Sequence, residues 1–195
     1  MGDTVRVRWW WFAIALAIQV AIVGGLAALH AASVTNSKAV YLSLRPVDPR
    51  DPLRGDYVTV AYDIGEISSD LVQSLFDGTT TPMPAVGSTV YVPLTRTGKV
   101  WAVAPGVSKT LPDVENDPAV RDTYSRDVVF IRGAVVSSSA NMITVTYGIE
   151  EYFIPEGTGA TWPMTGDPEA TARVLIDPKG KAQVQQLFLD GKPWP

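Results

Sequence analysis

Apolar residues follow two different patterns along this chain. Residues 9–32, WWWFAIALAIQVAIVGGLAALHAA, form a continuous apolar block, with Gln19 the single polar side chain between Trp9 and Leu29. At about 1.5 Å rise per residue that stretch makes roughly 31 Å of helix, close to the hydrocarbon thickness of a bilayer. The block therefore predicts a transmembrane helix with Trp9, Trp10 and Trp11 at one headgroup layer. Arg6 and Arg8 lie just ahead of it and predict a cytoplasmic N-terminus. The apolar run is long for a signal peptide, so an uncleaved anchor is expected. Gly24 and Gly25 are candidate packing positions where a second membrane helix could approach closely.

From residue 38 onward the pattern changes to alternation, the signature of half-buried strands. KAVYLSLRPV places Val40, Leu42 and Leu44 on one face. DYVTVAYD places Val58, Val60 and Tyr62 on one side, and Tyr57, Thr59 and Ala61 on the other. STVYVPLTRTGKVWAVAPGV reads as two strands around TRTG, where Gly98 suits a turn that needs positive φ. RDVVFIRGAVVSSSANMITVTYG reads as two more, joined near SSSAN. EYFIPEG is a short strand ending in a turn. In TARVLIDPKGKAQVQQLFLDGKPWP, Val174 and Ile176 precede DPKG, and Ala182, Val184 and Leu187 follow it, which predicts a hairpin.

Two windows read as helix instead. AYDIGEISSDLVQSLF carries Ile64, Ile67, Leu71, Leu75 and Phe76 at steps of three and four, and NDPAVRDTYS predicts a shorter turn of helix. The segment 106–127 is long and polar, either a surface excursion or a contact surface. The expected fold class is an N-terminal single transmembrane helix plus a mainly antiparallel β exported domain with one or two short helices. The expected organisation is a cytoplasmic N-terminus at 1–8, a transmembrane helix at 9–32, a linker at 33–37 and an exported β-rich domain at 38–195.

Composition narrows the chemistry. The chain has 195 residues, a net charge of −4, no cysteine and a single histidine, His30. The acidic balance argues against a nucleic-acid partner. The missing cysteines exclude thiol chemistry and cysteine-held clusters, and one histidine without cysteine makes a zinc site improbable. No catalytic residue, cofactor or metal site is assigned on these grounds. Lys99, in TGKVWA, reads as a hairpin-turn lysine rather than the neutral base of a serine–lysine protease.

The stretch RGDYVTVAYDI, residues 54–64, resembles the signature of the bacterial GDYXXLXY-domain family. Gly55, Asp56 and Tyr57 match, Val60 takes the leucine position and Tyr62 is the closing tyrosine. GSTVYVPL, RDVVFIRGAV, YGIEEYFIPEGTG and ARVLIDPKGKAQVQQLFLDGKPW follow in family order, so the resemblance covers most of residues 38–194. It implies a membrane-anchored or exported bacterial protein, often encoded with multi-span membrane proteins. It implies no catalytic residue.

The candidate binding or interface residues are Arg54, Asp56, Tyr57, Tyr62, Glu156, Trp101, Trp162, Trp194, Gly24 and Gly25. Asp56 reads either as a turn carboxylate or as a ligand group. Glu156 reads as a solvated turn residue or as the partner of Asp56 in a cleft. Trp101, Trp162 and Trp194 either close the domain's own core or form sticky edges. Two functions follow. The first is an accessory or scaffolding subunit that docks on a larger membrane assembly, with integral membrane proteins and the lipid bilayer as partners. Its location would be the bacterial inner membrane, single-pass, with the C-terminal domain periplasmic. The alternative is a cell-envelope hydrolase or a sugar- or peptide-binding domain using Asp56 and Glu156.

Overall fold

The computed structural model describes residues 9–46, 57–72, 83–114, 116–124, 127–153 and 169–194. The chain divides into two compact units, residues 1–36 and 37–195. The first unit holds α1 (Trp10–Thr35). Every described side chain from Trp9 to Leu26 is exposed, and the rings of Trp10 and Trp11 stack at 4.3 Å.

Among the described residues, no helix is long and apolar enough to cross a membrane. This corrects the expected transmembrane helix over 9–32 and the membrane-anchored fold class. The single-pass inner-membrane location rested on that span, as did the N-in orientation, the periplasmic C-terminal domain and the lipid and integral-membrane partners. They are withdrawn with it.

The second unit is mainly antiparallel β. Its described strands are β1 (Lys38–Pro46), β2 (Tyr57–Tyr62), β3 (Glu66–Ser68), β4 (Thr89–Thr97), β5 (Val100–Val103), β6 (Val129–Ser138), β7 (Met142–Thr146), β8 (Glu151–Phe153), β9 (Ala170–Ile176), β10 (Ala182–Leu189) and β11 (Lys192–Trp194). They form a six-stranded sheet, β11-β10-β9-β1-β2-β8, and a five-stranded sheet, β3-β7-β6-β4-β5. Short helices α2 (Ser69–Val72) and α3 (Pro118–Thr123) lie between strands.

One core joins the two sheets. Val40, Leu42, Val174, Ile176 and Leu187 enter it from the larger sheet, and Val90, Val92, Leu94, Ile131, Ile143 and Val145 from the smaller. These are the inward positions of the alternation. The register of β10 slips by one at a bulge between Val184 and Gln186. That is why the apolar positions step from Ala182 and Val184 to Leu187 rather than Gln186. The β9–β10 turn also reaches the other sheet, where the Gly180 carbonyl accepts a bond from the Arg132 amide at 2.7 Å. Asp177 shapes that turn by accepting from the amides of Lys179 and Lys181 at 2.9 and 2.8 Å.

The expected helix over residues 61–76 is a different object. Its first part is a 3₁₀ turn, Asp63–Gly65, followed by β3, and only α2 is α-helical. Ile64 and Ile67 are buried, but their spacing of three comes from a turn running into a strand, with Ile67 paired to Ile143. Leu75 and Phe76 lie outside the described residues. α3 falls inside the second predicted window. The polar segment 106–127 is partly internal, because Val120 and Tyr124 pack with Ala104, Val128 and Phe130 in a satellite core.

Gly133 on β6 shows how closely neighbouring strands of the smaller sheet are fitted. A Cβ there would collide with Val145 Cγ1 and lie 2.9 Å from the Thr146 carbonyl oxygen and 3.0 Å from the Tyr147 ring. Overpacking of this kind costs about 1–3 kcal/mol. Gly133→Ala is therefore expected to lower the urea unfolding midpoint by an equivalent amount, and an unchanged midpoint would contradict the packing described.

Candidate functional site

Alternation places every second side chain of the larger sheet on its outer face. Tyr41 lies between buried Val40 and Leu42, and Phe188 follows buried Leu187. Tyr41 pairs with Arg173 and Phe188 with Thr171, so the two rings face each other diagonally across β9. Their centroids are 6.1 Å apart with a 55° tilt, a favourable aromatic geometry. Tyr41 is 39% exposed. Around these rings lies a cleft of about 480 Å³, within the usual range for small-molecule sites.

Charged residues from both sheets rim the cleft. The β4–β5 hairpin contributes Arg96 and Lys99. Its Gly98 has φ +65, and Arg96 Nε donates to the Gly98 carbonyl at 3.1 Å, which ties the guanidinium to the turn. The opposite group is Glu169, ahead of β9, and Asp190, in the β10–β11 turn. Asp190 and Gly191 both have positive φ, 48° and 74°, the Asp-Gly pattern of a tight hairpin turn. The Asp190 amide donates to the Glu169 carbonyl at 3.0 Å, and Asp190 Oδ1 accepts from the Glu169 amide at 3.2 Å. The two carboxylate residues are thus held side by side. A second cleft, of about 440 Å³, lies beside β8 with the 78%-exposed Phe153 in its lining.

Tyr62 belongs to a different place, a corner where the chain passes from one sheet to the other. β2, the 3₁₀ turn and β3 run antiparallel to β7 and β8, each strand path crossing between sheets. The Tyr62 hydroxyl donates to the Ile149 carbonyl at 2.9 Å. Reciprocally, the Tyr147 hydroxyl donates to the Ile64 carbonyl at 2.6 Å. The Glu150 carboxylate accepts from the amides of Tyr147 and Ile149 at 2.5 and 2.9 Å. Burial, followed by the Glu150 charge, pushes the pKa values of both phenols well above the usual tyrosine range. On the surface of the corner, Arg45 reaches Asp63 and Glu66, each at 2.7 Å, and its pKa is raised further by the Glu66 bond and then by the Asp63 bond.

The other sequence candidates are dispersed. Trp101 and Trp194 are buried at 8% and 6% exposure and pack into the main core, with Lys38 Nζ 5.1 Å from the Trp101 ring centroid. Gly24 and Gly25 lie in α1 with open space around the Cβ positions. Tyr57 pairs by its backbone with Phe153 in β8. Arg54, Asp56, Glu156 and Trp162 lie outside the described residues. No group of acidic and histidine side chains among the described residues is arranged to hold a metal. The expected docking of a membrane helix on a larger assembly is corrected here too, because no described helix is able to supply the span.

Sequence reasoning missed the cleft because its residues come from four separate stretches. The available signal was the outward position of Tyr41 and Phe188 in alternating strands, together with the turn sequence Asp190-Gly191.

The family described as GDYXXLXY protein matches residues 19–187, and the chain belongs to that family. No curated protein and no solved structure matches it. Within the signature, Val60 and Tyr62 are both core residues.

The corner generates two predictions. Tyr62→Phe and Tyr147→Phe each strip a buried carbonyl of its donor, so each is expected to cost about 1–3 kcal/mol in urea unfolding. The double variant should be non-additive, because both bonds clamp one crossing. Costs below about 0.5 kcal/mol would show that the clamp contributes little.

The second prediction concerns alkaline pH. Tyr62 and Tyr147 hold their protons in the fold beyond the ordinary range, and Tyr124 is pushed up to about 12 by burial. Above about pH 10 the unfolded chain releases these protons first, so the folded state binds more of them and stability falls as pH rises. The contribution is intact below about pH 10 and is lost as pH passes through the folded-state values. Each of Tyr62 and Tyr147 adds at most about 1.4 kcal/mol per pH unit to the slope. Unfolding followed from pH 8 to 12 should show this decline, and Tyr62→Phe should make it shallower.

Proposed function

We propose that this member of the GDYXXLXY family is a binding module rather than a catalyst, taking a polar organic ligand of the sugar or peptide class in the cleft over Tyr41 and Phe188. The observation that carries this reading is a pair of accessible rings at 6.1 Å in a cleft of about 480 Å³ rimmed by charges of both signs. Aromatic faces supply apolar contact area at low conformational cost, and a few fixed polar groups set orientation. Sugar rings and peptide side chains both present an apolar face edged by hydrogen-bonding groups. The rim also offers Thr171, whose hydroxyl can both donate and accept.

The sequence-based version of this function relied on Asp56 and Glu156. The cleft does not need them, since Glu169 and Asp190 supply its carboxylates.

The test is isothermal titration of the purified full-length chain with a panel of neutral oligosaccharides and short peptides. At least one class is expected to bind, and Tyr41→Ala and Phe188→Ala should each weaken that binding by about tenfold, or about 1.4 kcal/mol. Circular dichroism of the variants would verify the fold. Silence from both classes, or binding indifferent to both substitutions, would refute the reading.

A further inference from the structure

The charges around the cleft are segregated, and they do not neutralise one another. Arg96 and Lys99 both belong to the β4–β5 hairpin of the smaller sheet. Glu169 and Asp190 sit next to each other on the larger sheet, joined by two bonds that fix the turn. Long side chains of opposite sign normally close on each other when they are within reach. Among the described residues, no ion pair within 4.0 Å links the cations to the carboxylates, whereas Arg45 closes on both Asp63 and Glu66 at 2.7 Å. The lining thus brings two cations, two carboxylate residues and two aromatic rings into one cleft, with the cations and the carboxylates on different turns.

From this lining we infer that the ligand is a short unblocked peptide. Its amino terminus meets Glu169 and Asp190, its carboxylate meets Arg96 and Lys99, and an apolar side chain lies over Tyr41 and Phe188. This inference rests on the binding reading above and narrows it. A neutral sugar would leave both sets of charges uncompensated. Guanidinium and carboxylate groups bind peptide termini through charge-assisted hydrogen bonds.

Heteronuclear NMR titration of the full-length chain tests this with Ala-Phe-Ala in four forms: free, N-acetylated, C-amidated and doubly blocked. The free peptide is expected to perturb the resonances of Tyr41 and Phe188, and to bind at least tenfold more tightly than either singly blocked form. Glu169→Gln and Asp190→Asn should erase the penalty for acetylation and leave the penalty for amidation. Arg96→Gln and Lys99→Gln should do the reverse. Asp190→Asn keeps an acceptor oxygen and tolerates positive φ, so the turn survives the change. Equal binding by free and doubly blocked peptide would overturn the charge assignment while leaving the binding module intact. Binding of a neutral oligosaccharide in the cleft with all peptides silent would do the same. Silence from every peptide and every oligosaccharide would remove both readings.

Discussion

The architecture depends on satisfying backbone polar groups where two chain paths cross between the sheets. Two antiparallel sheets can share one core only if strands pass from one to the other. Each passage takes backbone out of a regular ladder and into the interior. A buried carbonyl without a donor is costly, so the crossing needs partners from elsewhere. The reciprocal bonds of Tyr62 and Tyr147 supply them. Each phenol is carried by one path and bonds the backbone of the other. Glu150 fills the same role for two amides in the second path. Gly133 belongs to this arrangement as well, because its missing side chain leaves room for the Tyr147 ring.

The cleft follows from the corner. β1 pairs with β9 along Lys38–Ser43 and with β2 along Leu44–Pro46, so it links the corner to the β9–β10 hairpin within the larger sheet. Fixing β2 at the corner fixes the register of β1, and the register of β1 decides which side chains face outward. A slip by one residue would turn Tyr41 inward and expose Leu42. The bulge in β10 matters for the same reason. It shifts the alternation so that Leu187 enters the core and Phe188 emerges on the outer face near Tyr41.

Much of the β domain was legible because alternation is a local signal. Val40, Leu42 and Leu44 needed only their own strand to be read as core, and so did Val174 and Ile176. What was misread depended on distant partners. Ile64 and Ile67 carry a helical spacing, and their strand and turn geometry is set by pairing to β7, about 75 residues away. Trp101 and Trp194 were open between core and edge, and their burial rests on the closing of both sheets around them. The apolar block at 9–32 is helical from Trp10 to Thr35, but hydropathy by itself led further than the described helix supports. The cleft left almost no trace in the sequence. Glu169 and Asp190 are 21 positions apart, and Arg96 and Lys99 lie on a hairpin of the other sheet.

The family signature itself divides between fold and function along these lines. Its later positions, Val60 and Tyr62, are both buried, and the tyrosine hydroxyl is committed to the Ile149 carbonyl. A residue used in this way reports that the corner exists. It makes no contact that a ligand in the Tyr41–Phe188 cleft would feel directly. The signature's Val60 and Tyr62 thus serve the crossing, and the cleft is lined by outward-facing side chains from other stretches of the chain. Two chains with the same corner can present different charges on the β4–β5 and β10–β11 turns. The ligand proposed for the cleft would be selected by those two turns.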